Sequence, residues 1–466
     1  MRARCIVVVL YSVMLVGSGA PNNARFMGMG NFDFLFQDDY QRLDLYNFAG
    51  ISSGFFRNDT LSFVALRGSV LREEWERDSV LYWGIGQALP ERLQDYAPVE
   101  ALEYYESIPA FDLVPWELVY VSRRTETGYD YFGGEQSRQA WGFWGGYSRL
   151  SRSVDEETES ISTPAINLIY SRPVSNKLDF GLAFDGFYGS YSSPDNRYGA
   201  SLIPLGGGAG ISYNDAKLDL GINTEYHYLH FNFDSPSSDE TFSGHAIAPA
   251  AGSVVRVSAL TWASMVDYKW VSLAGSYDGN DLGEVQITSY SAKTQLLYAL
   301  NVFRATFFGA FDRQKPVYTD QNDNVDFETV YENYLLSGGI GFIHGPAMIG
   351  VEGIYQSVST EDMILEETIK GLEQGVKIGF EISPVKQIFL RGGFDYLVYD
   401  PDLDSEDDQS RTNTIAGGFG LNLSGMTRLE LGYNYKQTET DRYADERITD
   451  HIVFFYLKQG MTEEGF

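Results

Sequence analysis

The sequence predicts an all-β fold: a transmembrane antiparallel up-and-down β-barrel of about sixteen strands, within a range of about 14–18, carrying a short N-terminal plug segment. Three observations predict it. From about residue 140 onward, a short polar turn is repeatedly followed by a stretch in which apolar and polar residues strictly alternate. These stretches run about ten residues or more, the length a tilted strand needs to cross a bilayer. Aromatic residues gather near their ends, at Phe187, Tyr188 and 396–399, where an interfacial girdle belongs.

The pattern is plain in individual segments. Asn176-Lys177 leads into Leu178-Asp179-Phe180-Gly181-Leu182-Ala183-Phe184-Asp185. The stretches from Leu218 to Tyr226, Ile388 to Tyr396 and Leu429 to Tyr435 repeat it. Period two puts one parity on each face of a strand, so one face is apolar and the other polar. Candidate strands are 140–150, 163–172, 177–190, 206–214, 217–232, 253–267, 270–278, 285–299, 302–312, 332–344, 347–358, 367–382, 387–399, 412–423, 427–438 and 447–458. Residues 60–71, 79–87 and 115–124 are also strand-like and add a further pair. The polar, acidic stretches 151–162, 232–252, 313–330 and 400–412 are expected to be long exterior loops. Helix formers punctuated by prolines between 88 and 114 are expected to make one or two short helices.

A soluble sandwich has the same alternation but meets water with its polar face. Here the other parity is nearly free of charge over long segments, which in water leaves a large exposed apolar surface. The balance of 34 Lys plus Arg against 64 Asp plus Glu, a formal charge of −30, argues against a nucleic-acid partner. A single Cys excludes a disulfide scaffold and the usual cysteine-based zinc modules.

The first residues read as an export signal. Arg2 and Arg4 precede an apolar stretch over 5–16, and Ser18 and Ala20 suit the −3 and −1 cleavage positions. The expected organisation is 1–20 signal peptide, 21–55 plug or hatch, 56–460 barrel with acidic extracellular loops, and 461–466 tail. The expected location is a bacterial-type outer membrane.

Met27-Gly28-Met29-Gly30, the pair Asp38-Asp39, and Asn47-Phe48-Ala49-Gly50-Ile51 resemble the opening of FadL-type barrels. In that family a glycine-rich opening precedes an Asn-Pro-Ala segment; Phe48 stands where the family carries proline. The resemblance implies that Gly28, Gly30, Asn47, Ala49 and Gly50 belong to a lumen plug, and that hydrophobic solutes are a class to expect. The alternative is that Gly28 and Gly30 are only a flexible entry. At the other end, His451-Ile452-Val453-Phe454-Phe455-Tyr456-Leu457 looks like the aromatic closing strand of such barrels.

Catalytic chemistry finds no support. His227 and His230 lie an odd number of residues apart on a strand and point to opposite faces. Asp450 and His451 are adjacent and also point apart. No nucleophile–base or acid–base pair emerges, so an enzyme is not expected. No cofactor is expected beyond weakly bound Ca2+. Asp400, Asp402 and Asp404 match the alternating start of a calcium loop, but Ser405 replaces the turn glycine and Arg411 the closing glutamate. Asp320, Asn322 and Asn324 are similarly incomplete. The plainer reading of both runs is a solvated loop.

The interior is the remaining candidate site. By parity, the lumen-lining residues are Asp179, Asp185, Asp219, Asn223, Glu225, Lys377, Glu381, Arg391, Asp395, Arg428, Glu430 and Asn434. An open lumen lined this way favours cations. Alternatively, the charges pair across the wall and fill a closed interior, Arg391 with Asp395 or Arg428 with Glu430. Expected partners are membrane lipid or lipopolysaccharide and small solutes. Two functions fit: passive passage of small solutes, or a non-transporting barrel that anchors, secretes or presents a partner.

Overall fold

Twenty strand segments make up the computed structural model of the protein, which describes residues 62–75, 81–85, 116–126, 137–154, 157–175, 177–192, 199–235, 238–277, 280–322, 324–364, 367–400, 409–423, 427–440 and 446–461. In chain order they are β1 Ser62–Trp75, β2 Leu81–Ile85, β3 Trp116–Glu126, β4 Ser137–Val154, β5 Glu157–Pro173, β6 Leu178–Phe187, β7 Gly189–Ser192, β8 Gly199–Asn214, β9 Leu218–Ser235 and β10 Ser238–Val257. There follow β11 Leu260–Tyr277, β12 Asn280–Leu300, β13 Phe303–Thr319, β14 Val325–His344, β15 Ala347–Asp362, β16 Glu367–Val385, β17 Ile388–Asp400, β18 Ser410–Asn422, β19 Thr427–Thr440 and β20 Glu446–Met461.

From β8 onward each strand pairs antiparallel with the next in sequence, and β20 pairs antiparallel with β1 from Ser62↔Met461 to Trp75↔Ile448. The sheet is therefore closed. Two staves are each built from two segments. β2 and β3 occupy successive stretches of one line between β1 and β4. β6 and β7 share one line between β5 and β8. The ring thus has about eighteen staves, at the upper end of the expected range. The further pair is the one anticipated at 60–71, 79–87 and 115–124. Tyr188 separates β6 from β7 where Pro164, which lacks an N–H, faces it; Tyr188 N donates to the Pro164 carbonyl at 3.0 Å.

At one end of the barrel the strands are joined by tight turns. Positive φ at Ser258 (55°), Asn301 (49°) and Gly345 (56°) turns the chain between β10 and β11, β12 and β13, and β14 and β15. A carbonyl in each turn also accepts an N–H from a neighbouring strand: Ala299 N to Ala259 O, Ile343 N to Val302 O, and Ser383 N to Pro346 O, each at 2.7 Å. Lys177 and Asp215 join two further turns at this end through a 2.9 Å ion pair. The hydrogen bond between them holds the Lys177 ammonium above its ordinary pKa and the Asp215 carboxyl below.

The opposite end departs from expectation. The stretches 151–162, 232–252 and 313–330 are mostly strand: β4 runs to Val154, β10 begins at Ser238, and β13 and β14 are separated only by 320–324. Acidic composition signals exposure to water, not loop conformation, and a strand standing above the membrane meets water too. Outward-facing ion pairs mark that projection: Arg313 with Glu332 at 3.5 Å, and Lys315 with Glu328 at 2.6 Å. On the same face Tyr290 stands directly opposite Arg313, and Tyr334 is the next outward residue below Glu332.

Under these tyrosines the outer surface is apolar. On β14 the outward residues are Tyr334, Leu336, Gly338, Ile340 and Phe342, the apolar ones each about half exposed. From Tyr334 to Phe342 the strand runs roughly 27 Å at about 3.4 Å per residue. At a tilt of about 40° that rises about 21 Å along the membrane normal, most of an apolar band of about 25 Å. The fold is a transmembrane antiparallel β-barrel, since in lipid a closed sheet leaves no backbone edge unpaired.

The turn at 320–324 accounts for one of the acidic runs. The Asp320 carboxylate accepts the backbone N–H of Asn322 (2.7 Å) and of Asn324 (2.9 Å), and both asparagine side-chain amides. These donors, Asn324 first, push its pKa down to about 2. A lowered folded-state pKa means the turn keeps this stabilisation above pH of about 4 and loses it as pH falls toward about 2. We expect an NMR titration to place Asp320 near that value, with faster amide exchange at Asn322 and Asn324 below it. Replacing Asn324 by Ala should return the midpoint toward the ordinary carboxylate range.

Residues 1–61, 86–115, 401–408 and 462–466 lie outside the described residues. With them lie the export signal, the plug positions Gly28, Gly30, Asn47, Ala49 and Gly50, the short-helix reading of 88–114, and Asp402 and Asp404.

Candidate functional site: the barrel interior

Alternation of burial along each strand identifies the interior face. On β15 the buried residues are Met348, Gly350, Glu352, Ile354, Gln356, Val358 and Thr360, while Ile349, Val351 and Tyr355 between them are exposed. In the same way Asp179, Asp219, Lys377, Glu381, Arg391, Asp395, Glu430 and Asn434 are buried on the inward face. Asn223, Glu225 and Arg428 are on it too, half-buried. Asp185 lies on β6 opposite Gly206 and Asn167, and its side chain is outside the description.

The sheet register aligns several of these. Glu352, Lys377, Asp395, Thr414, Lys436 and Asp450 stand directly opposite one another across β15 to β20. Their charges mostly alternate in sign. Lys436 Nζ lies 3.9 Å from Asp450, and Ser337 Oγ donates to Glu352 at 3.1 Å. Across the barrel, Arg256 pairs with Asp219 at 2.5 Å.

Nearer the tight-turn end is a compact ionic cluster. The Arg391 guanidinium is wholly buried and bonds Glu381 (2.7 Å) and Glu430 (3.1 Å). Arg428 shares the same Glu430 oxygen, and both guanidiniums lie about 6 Å from the Phe389 ring centre. The pairing of Arg428 with Glu430 is one of the two the sequence suggested; Arg391 instead takes Glu381 and Glu430. Glycine at 420 makes the seat: a Cβ there would stand 3.0 Å from Arg391 Nη2. Apolar Met348, Ala416, Phe454 and Tyr456 are buried on the same inward faces. Arg391 Nη1 and Glu430 Oε2 are buried without hydrogen-bond partners among the described residues.

A different surface lies across the barrel. Asn223, Glu225 and His227 project inward from β9. On β8 they face Gly210, Gly208 and Gly206; on β10, Ala250, Ala248 and Ala246. A Cβ at Gly206 would fall 2.3 Å from His227 Cδ2, so glycine there is what lets the imidazole lie over the neighbouring strand. His230 takes the other face of β9, as the odd spacing requires.

Residue-type reasoning overlooked the apolar part of the interior. Phe308, Ala310, Leu335 and Ile354 form one buried cluster on β13 to β15. Tyr331, Phe231, Phe327 and Phe454 are the largest fully buried side chains, all inward. The available signal was an aromatic or branched residue on the otherwise polar parity, as at Phe231 and Phe308. It was masked because strict alternation assigned apolar residues to the lipid face.

The calcium candidate has one described member. Asp400 ends β17 and accepts a hydrogen bond from Gln409 Nε2 at 3.2 Å. Among the described residues no group of three or more His, Cys, Asp or Glu is placed to hold a metal ion.

No protein-family model matches the chain, and no curated protein matches it. Among solved structures the chain is similar to the CymD monoaromatic hydrocarbon channel, with 11% identity, coverage of 94% of this chain and 97% of that one, and a TM-score of 0.39. It is similar to the copper transporter OprC, with 7% identity, coverage of 86% and 80%, and a TM-score of 0.45. For the Ralstonia pickettii toluene transporter TbuX the values are 9% identity, 94% and 98%, and 0.36. Its closed antiparallel wall and apolar outer band make this protein a β-barrel of the outer-membrane type.

Proposed function

We propose that the protein is a channel for passive passage of small solutes across an outer membrane, reached by way of an export signal over 1–20 and cleared of its plug, 21–55, when it conducts. Hydrophobic solutes are the class implied by the FadL-type resemblance of the N-terminal segment. No cofactor and no catalytic step are needed. One observation carries the reading: inside the wall, the apolar cluster of Phe308, Leu335 and Ile354 adjoins the polar tier that begins at Glu352. A solute with an apolar body and a polar group is matched by such a surface.

The rival reading, a barrel that anchors or presents a partner without transport, is favoured by a different observation. Leu229, Tyr331 and Glu352 are inward-facing yet have no exposure to solvent. Planar-bilayer conductance of the protein with and without residues 21–55 separates the two. Current only after the deletion supports a plugged channel, and steady cation-selective current in the whole protein supports an open one. Silence in both overturns the channel and leaves the anchoring role.

A further inference from the structure

The outer face carries one side-chain arrangement twice. On β9 and β10, Tyr228 stands directly opposite His245, and the hydroxyl of Tyr226 lies 2.6 Å from His245 Nδ1. On β19 and β20, Tyr435 stands directly opposite His451, and the hydroxyl of Tyr433 lies 2.7 Å from His451 Nδ1. The ring geometry repeats as well. The imidazole stacks on the first tyrosine at 24° in one cluster and 28° in the other, and tilts against the second at 55° and 60°. Each is a Tyr-x-Tyr on one strand with His on the next. The two clusters lie about ten staves apart in a ring of about eighteen, nearly opposite each other.

Both occupy the same level of the polarity gradient. Going away from the tight turns, the outward residues of β9 are Leu220, Ile222, Thr224, Tyr226, Tyr228, His230 and Asn232. On β19 they are Leu431, Tyr433, Tyr435, Gln437 and Glu439; on β20, Val453, His451, Thr449 and Arg447. Each histidine thus sits at the step from apolar to polar surface. At that step the neighbouring oxygens of a bilayer belong to lipid headgroups.

We propose that the two clusters are binding sites for the phosphate oxygens of membrane lipid headgroups, through the imidazole Nε2–H of His245 and His451. Among the described residues, the hydrogen bonds of either ring run through Nδ1 to tyrosine. In the proposed sites the tyrosine hydroxyl is the donor to Nδ1, which leaves the imidazole proton on Nε2. A phosphate accepting from Nε2–H enriches the ring in electrons and strengthens Nδ1 as acceptor, so the two bonds reinforce each other. Stacking on one tyrosine and packing at a tilt against the other holds the ring in place and lowers the ordering cost of the contact. The sites fix the barrel's depth and tilt from two nearly opposite points, independently of whether the lumen transports.

The test is magnetic resonance on the full protein, isotope-labelled at histidine, in phosphatidylglycerol vesicles and phosphate-free buffer. Nitrogen shifts should report the Nε2–H tautomer at His245 and His451. Both should couple to lipid phosphorus, and each coupling should vanish in the matching His245→Phe or His451→Phe variant. Tyr226→Phe and Tyr433→Phe should weaken the coupling and release the tautomer. A proton on Nδ1 in both rings, or no phosphorus coupling to either, overturns the proposal and leaves the clusters as plain aromatic belt. The wild-type spectra alone decide this, whether or not a variant inserts.

Discussion

An arginine at Ile340 should destabilise the barrel by about 2–4 kcal/mol, the cost of a cation on the lipid face near the bilayer midplane. Ile340 is outward, half exposed, and lies between the Tyr334 and Phe342 rings on the same strand. The same change at Leu220 should cost only about 0–1 kcal/mol. Leu220 is also outward, but only two residues from the start of β9 at the tight-turn end, where the side chain reaches the interface. An arginine at inward-facing Asn223 should be milder than at Ile340. Reversible urea unfolding of the protein in lipid vesicles measures all three. Equal costs at Ile340 and Leu220 would refute the placement of the apolar band. Equal costs at Ile340 and Asn223 would refute the parity.

The second large effect is expected at Glu430. Replacing it with Gln removes one charge from the cluster it forms with Arg391, Arg428 and Glu381. The Arg391 side chain has no exposure, so water cannot take the place of the lost carboxylate. Breaking a buried pair this way typically costs about 3–5 kcal/mol. Removing both Arg391 and Glu430, as Arg391→Met with Glu430→Leu, should recover part of that loss, because it takes one cation and one anion from the cluster and restores the balance of buried charge between Arg428 and Glu381. A double-mutant cycle on unfolding free energy measures the coupling. A single-variant loss below about 1 kcal/mol would mean that water reaches the guanidinium after all.

Much of the architecture was legible because a barrel wall writes itself into sequence one strand at a time. Each predicted stretch from 140–150 to 447–458 overlaps a strand, since alternation requires only the neighbours two residues away. The stretch 253–267 was not one strand, however: the turn at Ser258 splits it between β10 and β11, and 270–278 is the far part of β11. The strand ends were less legible. Acidic residues near 151–162 and 313–330 mark contact with water, and both loops and projecting strands satisfy that. The segments β2 and β3 read as separate strands, and only pairing with β1 and β4 showed them to be one stave.

For the interior, local pattern named the polar residues on the inward parity but not their company. Arg391 meets Glu430 because β17, β18 and β19 are adjacent, although the two residues are 39 apart in sequence. The apolar cluster of Phe308, Leu335 and Ile354 spans three strands, and each member taken alone looks like a fault in the alternation. The repeated His–Tyr–Tyr arrangement is likewise invisible in sequence, because His245 and His451 reach their tyrosines across a strand pair whose register the hairpin decides.

The sequence by itself determined the all-β class, the two-faced strands and the identity of most inward polar residues, because those follow from a period of two. The tertiary structure alone decided how many staves close the ring, which charges meet, and where apolar residues enter the interior. These depend on register and closure, which couple residues far apart in the chain and leave no local trace.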